Sequence, residues 1–300
     1  MAAPKPSIIA LGLSFGLLIA SCGGSDTASD GTSADTLAVD TTPKETELIN
    51  VGGQLFSIPS PVQTALAIRK AGLKYQKDLT TPLDKGDVVV GKMAQSLVLG
   101  MYGADMAYVT VHKDGQRAMA TMQAIEKVGN KLELTNSFDR ALLDKFKSNL
   151  GSEDSLLQFS GIAFRAADQY LKNNQRDDVS ALVLAGGWLE SLYLTVSDPA
   201  ATKDQTLVNR IGEQKNTLTA LVELLERSDK EKAAAPFISG LKELNALFAG
   251  VTSTYTFQEP VTDAAKRTTF INSTSTITIP ADQLGAITAK VAALRNMILA

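Results

Sequence analysis

Two carboxylates stand inside two of the most apolar stretches of this 300-residue chain. Asp105 lies between Tyr102 and Tyr108 at helical spacing within 94–111. Glu190 lies two residues after Trp188 and three before Tyr193 within 181–194. A carboxylate in such surroundings must be hydrogen-bonded, paired with a cation or set at a cleft, because burial of a lone charge is costly. Arg165, in the mostly apolar segment 162–170, is the cation this pattern offers as a partner. One reading is a polar cross-link between core helices. The other is a pocket in which Tyr102, Tyr108, Trp188 and Tyr193 present ring faces, and the acids present acceptors, to a small polar ligand such as a sugar. Two carboxylates also serve as acid and base in glycoside hydrolysis, but that chemistry turns on their separation, which a sequence does not carry.

Other chemistries are poorly supplied. The chain has one histidine, His112, and one cysteine, Cys22. Zinc centres and serine-type triads use histidine in company, so neither is expected, and no calcium-loop spacing occurs. Gly86-Asp87-Val88-Val89-Val90-Gly91-Lys92 matches the front of a phosphate-binding loop, but Met93 stands where the magnesium-binding hydroxyl belongs. No apolar strand precedes it, and three valines would crowd a loop that must wrap phosphate. With 29 Lys and Arg against 32 Asp and Glu, the net charge is −3 and no basic stripe offers itself to nucleic acid. No metal, cofactor or nucleic-acid partner is expected.

Cys22 has a different chemistry. Lys5 and an apolar run over 7–20 form the charged and hydrophobic regions of a signal peptide. The run is shorter than the roughly 20 residues a membrane-spanning helix needs. It ends in Ile19-Ala20-Ser21-Cys22, which resembles the bacterial lipobox: small residues for the signal peptidase, then a thiol that accepts lipid. Several acyl chains make a durable anchor where one is marginal. Residues 1–21 are thus expected to be a lipoprotein signal peptide. Residues 22–46, rich in Gly, Ser, Thr, Ala and Asp, read as a flexible acidic tether. Residues 47–300 are left as a helical domain.

Helical patterning fills that domain. Ser60-Pro61 opens a helix to about Tyr75, and 87–112 reads as one long helix. Asp114 caps a helix to about Val128, Ser137 caps 138–149 and Ser152 caps 153–173. Further helices are expected from Asp177 or Asp178 to Val196, then over 204–227, 233–248 and 281–298. The stretches 94–111 and 181–194 are apolar around most of their circumference, which marks central helices. Gly100, Gly103, Gly186 and Gly187 within them point to close backbone approach. Two Thr-rich pieces, 252–257 and 273–279, alternate polar and apolar residues and suit a small β-hairpin before the last helix. The fold expected is all-α, an antiparallel helical bundle or a stack of helical hairpins.

Three segments carry a resemblance. Ile58-Pro59-Ser60-Pro61 with Ala71-Gly72-Leu73-Lys74-Tyr75 is the first. Leu99-Gly100-Met101-Tyr102-Gly103-Ala104-Asp105-Met106-Ala107-Tyr108 is the second, and 180–190, with Gly186-Gly187-Trp188-Leu189-Glu190, is the third. Together they resemble a group of mainly helical lipoproteins of Bacteroidetes, over about 56–196. The resemblance implies a cell-envelope location, on the outer membrane, and no particular activity. Gly23-Gly24-Ser25-Asp26 is similar to the acidic surface-export signals of that phylum, and Asp26-Thr27-Ala28 to its O-glycosylation signal. The expectation is a non-enzymatic scaffold or accessory subunit anchored through Cys22 and binding an envelope protein. A small-ligand-binding lipoprotein is the alternative.

Overall fold

A computed structural model of the chain describes residues 47–51, 54–58, 60–134, 144, 148, 173–263 and 265–300. Cys22, Arg165, the expected signal peptide and tether, and most of the helices expected at 138–149 and 153–173 lie outside them. The described residues fall in one unit, Pro43–Ala300. Helices hold 69% of what is described, so the protein is mainly helical, with short antiparallel ribbons beside the helices.

The central element is α3 (Lys92–Val111), whose every residue from Ser96 to Val111 is buried. Its composition, apolar all round, suits a helix packed on every side. Against it lies α5 (Asp177–Val196), the one helix among the described residues long and apolar enough to cross a membrane. Its packing inside the fold accounts for that composition. Lys92 pairs with Asp178 at 2.7 Å where both helices begin. Further along, Gly100 meets Val183 and Gly187, and beyond them Asp105 faces Glu190. The central pair therefore runs parallel, against the expectation of antiparallel neighbours. The reason is the connection: α4 (Gly115–Lys131) and the chain after it separate the two helices in sequence, so no short loop dictates their direction. The backbones touch at the crossing. A Cβ on Gly100 would stand 1.9 Å from the Val183 carbonyl oxygen, and one on Gly186 would stand 2.0 Å from that of Leu97.

The other helices cover this pair. The first half of α3 shares a hydrophobic core with α5, α6 (Gln205–Ser228), α7 (Ala235–Leu247) and α8 (Ala281–Leu299). The second half shares another with α1 (Pro61–Lys70) and the start of α4. Asp114 accepts a hydrogen bond from the amide of Arg117 and caps α4 as expected, and Asp204 accepts from the amide of Leu207 and caps α6. Helix α1 stops five residues short of the expected Tyr75. Gly72 adopts φ +76° just past its end, the left-handed turn that closes many helices.

The helix expected over 87–112 is broken. A single turn, α2 (Lys85–Val88), precedes α3, with Val89–Gly91 between them. In a continuous helix the carbonyls of Gly86 and Asp87 would accept from the next turn. Here they accept from Lys131 Nζ, at 2.7 and 2.8 Å. Between α1 and α2 the chain is mostly irregular and crosses the face of α3.

The ribbons bring one expected pairing and two unexpected ones. Strand β1 (Glu47–Val51) pairs with β2 (Gln54–Ile58), Val51 opposite Gln54. The Gly52-Gly53 link between alternating runs is a hairpin signal that reading the domain as helical from residue 47 passed over. Strand β3 (Thr252–Thr256) pairs with β6 (Thr274–Thr278) as the Thr-rich pieces predict. Their connection forms a second short ribbon, β4 (Val261–Asp263) with β5 (Thr268–Phe270).

Candidate functional site

Glu190 is wholly buried and is gripped by one arginine. Arg295 of α8 donates from Nε to Glu190 Oε2 at 2.7 Å and from Nη2 to Oε1 at 2.9 Å. This two-pronged geometry is the strongest form of the carboxylate–guanidinium pair. The guanidinium lies 4.2 Å from the centroid of the Tyr193 ring, which covers one of its faces. Arg165, the partner expected from the sequence, lies outside the described residues, and Arg295 fills the role. The signal that picked Arg165, a lone arginine in an apolar helix, applies equally to Arg295 in Ala292-Ala293-Leu294-Arg295.

Among the described residues, Asp105 sits beside this pair without a cation of its own. Its Oδ2 accepts the Thr81 amide at 2.9 Å, while Oδ1, also buried, has no donor. Burial, and then the negative charge of Glu190, pushes the Asp105 carboxyl well above the usual carboxylate range. Burial raises Glu190 too, but Arg295 opposes that rise with two hydrogen bonds and its charge. Of the two acids, Asp105, which lacks the arginine, is the one that favours holding a proton. A neutral Asp105 protonated at Oδ1 has a donor to offer Glu190, and the buried array then carries one negative and one positive charge. Thr81 completes it by donating its hydroxyl to Glu190 Oε1 at 3.3 Å.

These side chains bind the protein's own backbone. Tyr102, Asp105 and Tyr108 recur every three residues on one face of α3, and each takes hold of the segment that crosses it. Tyr108 Oη accepts the Gln76 amide at 3.0 Å. Tyr102 Oη accepts the Gly86 amide and donates to the Pro82 carbonyl, both at 2.8 Å. Arg295 Nη2 donates to the Leu79 carbonyl at 3.0 Å, and Arg117 Nη2 donates to the Thr81 carbonyl at 3.1 Å and to Thr80 Oγ1 at 2.8 Å. An irregular segment has no ladder to satisfy its amides and carbonyls, and leaving them bare inside a protein costs about 1–3 kcal/mol each. The polar residues of the core supply what a strand or helix partner would. We call residues 76–87 the strap.

Burial beneath the strap raises the phenols, and the strap amides oppose that rise. Burial lifts Tyr102 to about 12, against the pull of the Gly86 amide. Burial likewise raises Tyr108. At the strap's start, Tyr75 donates to Asp114 Oδ2 at 2.8 Å and stacks on His112 at 5.1 Å. Burial, then the nearby charge of Arg69, lowers the pKa of His112.

Trp188 stands apart from the acids. Its Nε1 donates to Gln214 Oε1 of α6 at 2.8 Å, tying α5 to α6. The phosphate-loop-like stretch is likewise committed elsewhere, with the Gly86 amide on Tyr102 and Lys92 on Asp178. A cavity of about 780 Å³ does exist, but away from Asp105 and Glu190. It lies at the N-terminal ends of α3 and α5, between Lys92, Asp178, Leu182, Leu224 and Glu231. Among the described residues no cluster of three or more His, Cys, Asp or Glu is placed to hold a metal.

Sequence reasoning missed Thr81, Arg117 and Arg295. Thr80-Thr81-Pro82 carries only a turn signal, and which backbone a side chain will grip is settled by tertiary packing. Comparison with protein-family models, curated proteins and solved structures finds no match to this chain.

Proposed function

We propose that this chain is a lipid-anchored protein of the bacterial cell envelope, held through acyl chains on Cys22, whose helical body is a non-enzymatic scaffold or accessory subunit. One observation carries the second half of the reading. The acids and phenols that could do chemistry are buried and committed to the protein's own strap, with Asp105 1% and Glu190 0% exposed. The first half rests on Lys5, the apolar run over 7–20 and Ile19-Ala20-Ser21-Cys22, and on the resemblance to Bacteroidetes lipoproteins. We read the helices as a bundle wrapped about the parallel pair α3 and α5, a rigid body suited to presenting surface. The partners on this reading are the membrane and an envelope protein.

A second reading, a binding protein for a small polar ligand, is favoured by the cavity of about 780 Å³ beside Lys92, a volume in the range of ligand sites. One experiment tests the anchor and a second separates the two readings of the body. In cells fed an alkyne fatty acid, the wild-type protein should take up label and fractionate with membranes. Cys22→Ala should take up none and persist as an unprocessed precursor; a normally processed, soluble Cys22→Ala protein would remove the anchor from the reading. Affinity purification from cross-linked cells then tests the body. A stoichiometric envelope protein supports the accessory role, and a co-purifying small molecule without a protein supports the ligand reading.

A further inference from the structure

The two edges of the β3–β6 ribbon are treated differently. Along β6 the outward-facing groups are taken by side chains of α6. Asn209 Oδ1 accepts the Ile277 amide at 2.9 Å, Gln205 Nε2 donates to the Ile277 carbonyl at 2.9 Å, and Asn209 Nδ2 donates to that of Ser275 at 3.3 Å. In an antiparallel pair, residues opposite one another point their backbone groups both inward or both outward. Ser253 and Tyr255 lie opposite Ile277 and Ser275, so their amides and carbonyls face out from the other edge. Among the described residues nothing covers them, and β3 is exposed along its whole length.

That edge has none of the usual protections. Thr252-Ser253-Thr254-Tyr255-Thr256 contains no charge, proline or glycine, and its threonines and tyrosine favour strands. Tyr255 is 62% exposed and Phe257, just beyond, 66%. A bare edge of this kind is a template for another strand.

We propose that β3 pairs with β3 of a second copy of this chain, antiparallel about a two-fold axis through Thr254. The register admits this occupant, and the absence of charge on the edge favours it. With Thr254 opposite its counterpart, Ser253 falls opposite Tyr255 of the other copy, so outward groups meet outward groups on both sides of the axis. The result is a continuous four-stranded sheet in the order β6-β3-β3-β6. An edge without charge offers nothing to select a charged partner strand and brings no like charges together at the axis. One short strand per copy buries less than a standard interface, so the association is concentration-dependent. The inference stands on the ribbon alone and does not depend on the lipid anchor.

Thr254 points its backbone groups inward to β6, so across the axis it forms a non-hydrogen-bonded pair. In such pairs the Cα atoms approach to about 4.5 Å, within disulfide range. The test uses the full chain in detergent, carrying either Thr254→Cys or Thr276→Cys, the latter on the covered strand. Under mild oxidation Thr254→Cys should form a 254–254 linked dimer about tenfold faster or more, because pairing gives the two thiols a high effective concentration. Ser253→Pro removes an outward amide without touching the β6 pairing. It should abolish the concentration-dependent mass increase in sedimentation while leaving the circular dichroism unchanged. Equal linking rates at the two positions, or a chain that stays monomeric at every concentration, would overturn the proposal. So would a monomer with another protein's strand cross-linked to β3.

Discussion

Asp105 and Glu190 are neighbours with opposite needs, and single substitutions should tell them apart. If Asp105 already carries the proton, Asp105→Asn keeps an acceptor for the Thr81 amide and a donor for Glu190. Its effect on unfolding free energy near neutral pH should be under about 1 kcal/mol. Glu190→Gln leaves the buried Arg295 fork without its carboxylate and should cost about 3–5 kcal/mol. Urea denaturation of the two variants checks the contrast; equal losses would put the proton elsewhere. The pH dependence follows from the direction of the shift. An acid whose folded-state pKa is raised binds its proton more tightly when folded. Stability therefore falls as pH climbs from the ordinary carboxylate value of 3.8 towards the raised one. Melts at about pH 5 and about pH 8 should show that loss in the wild type and a smaller one in Asp105→Asn, since Glu190 alone then contributes. The sequence made the acids visible, because a carboxylate in an apolar helix is conspicuous. It could not say that they hold backbone, since the strap's grip on them spans separations of 24 and 109 residues.

At the level of elements, the crossing of α3 and α5 is the most constrained contact in the fold. Gly100→Ala would place a methyl group 1.9 Å from the Val183 carbonyl oxygen, which neither helix can yield without shifting its backbone. It should cost about 3 kcal/mol or more, the upper end for overpacking. Gly285, exposed on α8 with nothing within 4 Å of an added Cβ, is the control. Gly285→Ala should stabilise by about 0.5–1 kcal/mol through helix propensity. Thermal melts of the two variants read both signs. Helix positions were legible where a cap and periodicity agreed, as at Asp114, and where a stretch is apolar all round, as in α3 and α5. They were misread where a side chain from elsewhere intervenes. Lys131 holds the Gly86 and Asp87 carbonyls, and Gly91, at φ +86° just before α3, is the local breaker that reading one long helix passed over. The parallel setting of the central pair was hidden for a related reason, because direction is inherited from all the chain between two helices.

The described residues divide into a helical body that grips itself and a ribbon that is seated on α6 along β6 and exposed in its outer part. Tyr255, Phe257, Val261, Phe270 and Ile271 are all exposed, so the ribbon's outer part adds little to the core. Replacing 257–273 with an Asn-Gly turn between the paired Thr256 and Thr274 should leave the melting temperature within a few degrees. A large drop would show that the outer ribbon packs on the body after all. The body obeys the opposite rule. Its strap is fastened by Arg295, 216 residues beyond Leu79 and 105 beyond Glu190. Contacts this distant form late, because the entropy of closing the loop is lost before the contact returns anything. Until the last helix arrives, Glu190 lacks the fork of Arg295 and the Leu79 carbonyl lacks its Nη2 donor. This part of the core is therefore completed last. For a chain exported in the way proposed here, that dependence would keep the thread loose until the helix carrying Arg295 has crossed the membrane.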